Sequence, residues 1–242
     1  MRADPVTVAV LFDIDGTLIT TGGAGAVAWR RAFDALYGIP ADIGKFTDAG
    51  MTDPEVGRVT FVNVIGREPT TSELAGVMAK RLTFLPEAVA ESRGYRVLPG
   101  VERLLRRLAD EGYLLGLTTG GVEAAARIKL GRGGLNRYFS FGGYGSDSPD
   151  RTELTKRAIE RAEVIHGRPL EPGRCAVVGD TPLDIAAAHA AGAVAVGVAS
   201  GSFSVDQLRE AGADHVLASL EEELPLWRSL RQASRRAPSQ ST

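Results

Sequence analysis

Apolar and polar positions fall along this chain in short blocks. Six apolar runs, at 6–12, 113–117, 138–141, 175–178, 193–198 and 215–217, have the length of strands, and their apolarity is mostly continuous rather than alternating. Strands of that kind are covered on both faces, as in a parallel sheet between two layers of helices. Helical periodicity fills the gaps between the later runs. Val101, Leu104, Leu105 and Leu108 form one stripe over 101–111, and further helices are predicted at 122–130, 153–165, 182–191 and 205–211. Strands alternating with helices predict right-handed crossovers and an α/β fold built on a doubly wound parallel sheet.

The alternation stops between about 20 and 96. This stretch carries helical patterns at 24–37, 54–65 and 72–92 but no convincing strand, with breaks at 38–40 and 66–69. Ser72 is positioned to cap the third helix. Residues 20–96 are therefore expected to form a helical domain inserted after the first strand, and Leu98-Pro99-Gly100 its return to the main sheet. Residues 1–19 and 97–242 then make up one core domain, with a polar tail at 232–242 expected to be disordered.

Composition narrows the function classes. With 28 Lys+Arg against 30 Asp+Glu the net charge is -2, which offers no bulk attraction for nucleic acid or a membrane surface. No stretch approaches the ~20 apolar residues of a membrane span, and the first twelve residues do not read as a signal peptide. The single cysteine, Cys175, lies in an apolar run, so it reads as a core residue and forms no intrachain disulfide. A cytoplasmic location fits. Monomer and homodimer both remain open.

The chemistry concentrates where strands end. The first strand runs into Asp13-Ile14-Asp15-Gly16-Thr17, two carboxylates one residue apart. The carboxyl ends of parallel strands are where ligands bind, and paired anions there call for a cation. A second cluster, Gly179-Asp180-Thr181-Pro182-Leu183-Asp184, again ends an apolar strand in a carboxylate. Pro182 suits a first helical turn, which puts Asp184 near Asp180. An all-oxygen donor set with open positions suits Mg²⁺, and no His cluster or Cys pair favours zinc. Thr118 and Thr119, followed by Gly120 and Gly121, offer hydroxyls and amides for an anion. Arg151 opens a helix after a Gly/Ser-rich loop and can supply a fixed positive charge, with Lys156 as a rival one turn later.

Taken in order, these segments resemble the haloacid dehalogenase superfamily, in particular its phosphoglycolate phosphatase-like branch. The matching motifs are Asp-x-Asp-Gly-Thr at 13–17, apolar-Thr at 117–118, a basic residue at 151 and Gly-Asp-x-x-x-Asp at 179–184. The resemblance implies a Rossmann-like core with a helical cap domain. It also implies a Mg²⁺-dependent phosphatase acting on a small phosphorylated metabolite. Asp13 would be the nucleophile that forms an aspartyl-phosphate, and Asp15 the acid and base. Thr118, Thr119 and Arg151 would hold the phosphoryl group. Asp13, the Asp15 backbone carbonyl and Asp180 would ligate the metal, supported by Asp184. Thr52 or Asp53, in a loop that looks like the family's cap loop, would line the entrance. One departure is the arginine at 151, where the family usually has lysine. Arginine keeps the charge and grips phosphate bidentately.

Other readings fit less well. Gly23-x-Gly25-x-x-Ala28 has the outline of a dinucleotide fingerprint but does not directly follow the strand, so it reads as a hinge near the site entrance. Gly116-x-Thr118-x-Gly120 has a nucleophile-elbow outline, yet His166, His189 and His215 offer no clear partner. A Walker A lysine is missing. Within the superfamily a sugar-phosphate mutase shares all four motifs. A module that binds a phospho-ligand or a protein without turnover is the alternative from another class.

Overall fold

Val10 and Phe12 pack into one apolar cluster, Ala9 and Leu11 into another, and all four are buried. A strand with no polar face belongs in the middle of a sheet covered on both sides. The computed structural model, which describes residues 9–171 and 173–224, places it there. Its strands are β1 (Ala9–Phe12), β2 (Ile19–Thr21), β3 (Tyr95–Val97), β4 (Leu114–Thr119), β5 (Phe141–Tyr144), β6 (Cys175–Gly179), β7 (Val194–Val198) and β8 (His215–Leu217). Six of them form one parallel sheet in the order β5-β4-β1-β6-β7-β8. From β1 the chain builds outward through β4 and β5, then returns to add β6, β7 and β8 on the other side. That reversal opens a crevice at the carboxyl ends of β1, β4 and β6.

The helices are α1 (Ala24–Tyr37), α2 (Asp53–Ile65), α3 (Thr71–Glu91), α4 (Val101–Asp110), α5 (Glu123–Arg132), α6 (Arg151–His166), α7 (Pro182–Ala190) and α8 (Val205–Glu210). On one face Phe12, Leu117 and Val178 pack with Leu105 and Leu108 of α4 and Leu130 of α5. On the other face Leu11 and Val177 meet Ala158 and Ala162 of α6, Ile185 of α7 and Leu208 of α8. Cys175 is buried in this second layer, and burial pushes its thiol up to about 12. Among the described residues, no helix is long and apolar enough to cross a membrane.

The structure departs from the sequence expectations at three places. The strand expected at 138–141 lies three residues later. A 3-10 turn occupies Leu135–Tyr138, and β5 is Phe-Gly-Gly-Tyr. Glycine hides this strand from an apolar pattern because α6 lies against its backbone: a Cβ on Gly143 would sit 1.7 Å from the Leu154 carbonyl oxygen. The stretch 20–96 is not free of strands either. β2 and β3 pair antiparallel as a ribbon, Ile19 opposite Val97 and Thr21 opposite Tyr95, so the expected boundaries at 19/20 and 96/97 fall inside it. The third helix is capped by Thr70, not Ser72. The Thr70 hydroxyl oxygen accepts from the Glu73 amide at 3.2 Å, and Glu73 Oε2 accepts from the Thr70 amide at 2.8 Å. The expected extension of β1 to 6–8 and the tail at 232–242 lie outside the described residues.

The three helices between β2 and β3 match the expected spans within two residues. Trp29, Phe33, Phe61 and Val77 form their shared core. A second seam joins Ala28 of α1 and Leu85 and Val89 of α3 to Val122 and Ala125 at the start of α5, which seats the helical segment beside the crevice.

Candidate active site

The site begins where β1 ends. The Asp13 amide donates to the Val178 carbonyl at 2.9 Å, carrying the chain one residue past the strand. The backbone then turns sharply: the Leu18 and Ile19 amides both donate to the Ile14 carbonyl, at 2.9 and 3.0 Å, and Gly16 donates to Ile19 at 2.8 Å. Gly16 is required twice over. Its φ of +91° disfavours any side chain, and a Cβ there would lie 2.3 Å from Asp180 Oδ2.

Asp180 follows β6, the strand paired with β1. Its Oδ1 accepts from the Thr17 hydroxyl at 3.2 Å. Thr181 caps α7, with Pro182 at its start as expected. Asp184 Oδ2 accepts from the Thr181 amide at 3.1 Å and from its hydroxyl at 2.7 Å. This cap spends one carboxylate oxygen of Asp184 and turns the other toward Arg151. Arg151 Nε donates to Asp184 Oδ1 at 2.9 Å, and Nη2 donates to the same oxygen and to Asp13 Oδ1, the latter at 2.7 Å. Nη1 donates to the Gly50 carbonyl at 3.2 Å. Lys156, the rival cation, instead pairs with Glu153 on the exposed side of α6 at 2.9 Å.

Asp13, Asp180 and Asp184 are all buried, and each offers an oxygen within 4.8 Å of the others. Burial raises the Asp13 carboxyl well above its ordinary range. Arg151 opposes that rise, while Asp184, Asp180 and Asp15 add to it. Burial and then Asp184 hold Asp180 up at about 7. Burial also works against the Arg151 charge, but Asp184 and Asp13 more than offset it and push its pKa above the ordinary arginine value. One guanidinium thus faces three buried carboxylates. An oxygen-only cluster with this surplus of negative charge fits a hard divalent cation.

The other predicted residues divide. Thr119 lines the cavity above Asp13, together with Gly120 and Gly121. Its oxygen accepts from the Gly121 amide at 3.2 Å, which leaves its hydroxyl hydrogen free to donate. Thr118 does not reach the cavity. Neighbouring strand residues face opposite ways, and the Thr118 hydroxyl is buried against that of Thr155 at 3.0 Å. The Asp15 carboxylate stands apart from the three-carboxylate group. Lys129 Nζ donates to its Oδ2 at 2.5 Å. Thr52 begins α2, but its hydroxyl donates across to the Pro149 carbonyl at 3.2 Å and does not line the cavity. Asp53 does line it. The Asp53 amide donates to the Gly120 carbonyl at 2.7 Å, and its Oδ2 accepts from the Val122 amide at 2.9 Å, which ties α2 to the loop after β4. Gly23 and Gly25, read as a hinge near the entrance, lie on the cavity wall. None of the three histidines lines it.

Two cations on the cavity wall escape the sequence reading, and both carried a visible signal. Lys129 shares the buried face of α5 with Ala125, Ala126 and Leu130. Arg81 interrupts the apolar stripe of Val77, Leu85 and Ala88 on α3. A long cation on a buried helix stripe needs a partner. For Lys129 that partner is Asp15, and for Arg81 it is Asp53, whose Oδ2 accepts from Arg81 Nη1 at 2.6 Å.

Comparison with known proteins finds a family and relatives that span most of the chain. A family model described as haloacid dehalogenase-like hydrolase matches residues 7–192. A probable phosphatase, IndB, from Dickeya dadantii is 28% identical over 219 residues, covering 84% of this chain and 85% of that protein. A phosphoglycolate phosphatase from Rhodospirillum rubrum is 31% identical over 214 residues, covering 85% and 84%. Among solved structures, a predicted phosphoglycolate phosphatase from Haemophilus somnus superposes with a TM-score of 0.69 at 20% identity, over 90% of this chain and 96% of that one, a likeness of fold. With carboxylates at the switch point of a doubly wound sheet and a family match over most of its length, the chain belongs to the haloacid dehalogenase-like hydrolases.

Proposed function

We propose that this protein is a Mg²⁺-dependent phosphatase that hydrolyses a small phosphorylated metabolite through an aspartyl-phosphate on Asp13. The observation that carries the reading is the buried grouping of Asp13, Asp180 and Asp184, the first and last paired with Arg151, beside a cavity of about 280 Å³. That volume sits at the small end of ligand pockets and suits a compact phosphomonoester. The relatives named phosphoglycolate phosphatase support a substrate of that size.

Asp13 gives one oxygen to Arg151, and its second carboxylate oxygen has no protein donor among the described residues. In the first half-reaction an Asp13 oxygen attacks phosphorus, the bond from phosphorus to the leaving oxygen breaks, and Asp15 gives that oxygen its proton. In the second half-reaction Asp15 takes a proton from water, that oxygen attacks phosphorus, and the Asp13–phosphorus bond breaks to free inorganic phosphate. Arg151 and the Thr119 hydroxyl offset negative charge on the transferring group. Asp13, Asp180 and the Asp15 backbone carbonyl would hold Mg²⁺, with Asp184 fixing Arg151 and the start of α7. When bound, the ion neutralises charge on the phosphoryl oxygens. Lys129 holds the Asp15 side chain at a fixed place on the cavity wall.

The test is phosphate release from a panel of short phosphomonoesters, with Mg²⁺ and with chelator. Release that needs the ion supports the reading. A panel with no release at all overturns it, and isomerised sugar phosphate without net release points to a mutase.

A further inference from the structure

The stretch 47–52, which leads into α2, forms no helix or strand. Within it the Met51 amide reaches the Asp48 carbonyl only at 3.4 Å. A segment with so little bonding of its own takes its place from what it touches. Those contacts lead across to the core. The Thr52 hydroxyl donates to the Pro149 carbonyl at 3.2 Å, and the Asp53 amide donates to the Gly120 carbonyl at 2.7 Å. The Gly50 carbonyl accepts from Arg151 Nη1 at 3.2 Å. Gly50 also lies against the start of α7. A Cβ there would sit 3.0 Å from Leu183 Cδ1 and 3.1 Å from Thr181 Oγ1, and its φ of +88° disfavours any side chain.

Among these anchors Arg151 has a second duty, since it also holds a reacting group. Its Nη2 donates to Asp13 at 2.7 Å, and Nε donates to Asp184 at 2.9 Å. The remaining arm, Nη1, goes to the loop. A lysine would bring a single nitrogen, enough to face the carboxylates but without a separate arm for Gly50. The guanidinium instead spans from the nucleophile to the loop beside it. Asp48, Gly50 and Met51 of that loop line the same cavity as Asp13.

We propose that Arg151, besides its part at the phosphoryl group, is the positioning residue of this loop, and that its bond to the Gly50 carbonyl latches 47–52 over Asp13. This rests on the phosphatase reading above for the chemistry at Asp13 and adds to it how the cavity is closed. A loop held in this way keeps water from the site and presents a fixed wall to the leaving group. One rigid, planar group makes both contacts, so a displacement at either end is felt at the other.

Hydrogen exchange read by mass spectrometry tests the latch in wild type, Arg151→Lys, Gly50→Ala and the double variant. Arg151→Lys removes the arm, and Gly50→Ala displaces the acceptor. In each single variant, peptides covering 48–53 are expected to exchange about tenfold faster, while peptides from β1 and β6 keep their wild-type rates. Two halves of one latch do not add, so the double variant should stay within about twofold of the faster single one. Unchanged exchange at 48–53 in Arg151→Lys overturns the proposal, and so do effects that multiply in the double variant. Where fast exchange in β1 and β6 shows that Arg151→Lys has not folded, Gly50→Ala decides the matter by kinetics. Its KM for a phosphomonoester should rise about fivefold or more, and by a larger factor than kcat falls. A KM that rises by less than kcat falls overturns the latch. A wild type that hydrolyses no phosphomonoester overturns the phosphatase reading, while the exchange rates still decide the latch.

Discussion

Two buried arginines face one cavity, and they are held in opposite ways. Arg151, at the start of α6, spends every nitrogen on the protein: Nε and Nη2 on Asp184 and Asp13, and Nη1 on the Gly50 carbonyl. Arg81, on α3, spends only Nη1. The first is part of a charge cluster that the sheet assembles for itself. The second comes from the helical segment, where it lies over the Trp29 ring and pairs with Asp53. The contrast separates a guanidinium set among the carboxylates at the sheet's edge from one that joins two helices of the inserted segment.

The largest test of that division is Arg151→Ala. It removes the guanidinium that pairs with Asp13 and Asp184, and kcat/KM is expected to fall about a thousandfold. The fall should be the same for carboxylate-bearing and neutral phosphomonoesters in steady-state assays. A loss confined to one class would place Arg151 at the leaving group instead.

Asp15→Asn should come next, with a loss of about a hundredfold. Its signature is dependence on the leaving group: alkyl phosphates, which need a proton on departure, should suffer more than aryl phosphates. A uniform loss across both would place the acid elsewhere.

A third effect concerns stability. Burial and Asp184 raise the Asp180 carboxyl from an ordinary 3.8 to about 7, so the folded protein keeps a proton that the unfolded chain has released. The folded state binds more protons over that interval, and the metal-free protein therefore loses stability as pH rises from about 4 through 7. A divalent ion at the cluster offsets this loss. The rise in Tm on adding Mg²⁺ should accordingly be larger at pH 8 than at pH 6, as read by thermal unfolding. A shift that shrinks with rising pH would argue against binding at this cluster.

The smallest effect belongs to Lys156→Ala. Its pair with Glu153 is exposed, and water and salt screen such pairs until they contribute little. Activity within twofold of wild type and a Tm within a few degrees are expected. A large loss of activity would return Lys156 to the site in place of Arg151.

Much of this arrangement was legible in the residues. Continuous apolar runs announced a covered parallel sheet, and two of them ending in carboxylates placed Asp13 and Asp180 at its carboxyl edge. What stayed hidden had physical causes. β5 is half glycine because α6 presses on its backbone, so no apolar pattern marks it. β2 and β3 are three residues each, too short for any periodicity. Thr118 and Thr119 look alike in sequence, and only the alternation of the strand sends one into the core and the other into the cavity. Lys129 and Arg81 pair with carboxylates 114 and 28 positions away, contacts that the fold alone creates.

The central claim is a covalent bond between Asp13 and phosphorus. Brief turnover with a phosphomonoester and Mg²⁺, quenched with borohydride, reduces an aspartyl-phosphate to homoserine, and peptide mass spectrometry reads the position. Homoserine at position 13, formed only with substrate, is the expected result. Ongoing turnover with an unmodified Asp13, or reduction at another carboxylate, would contradict the account.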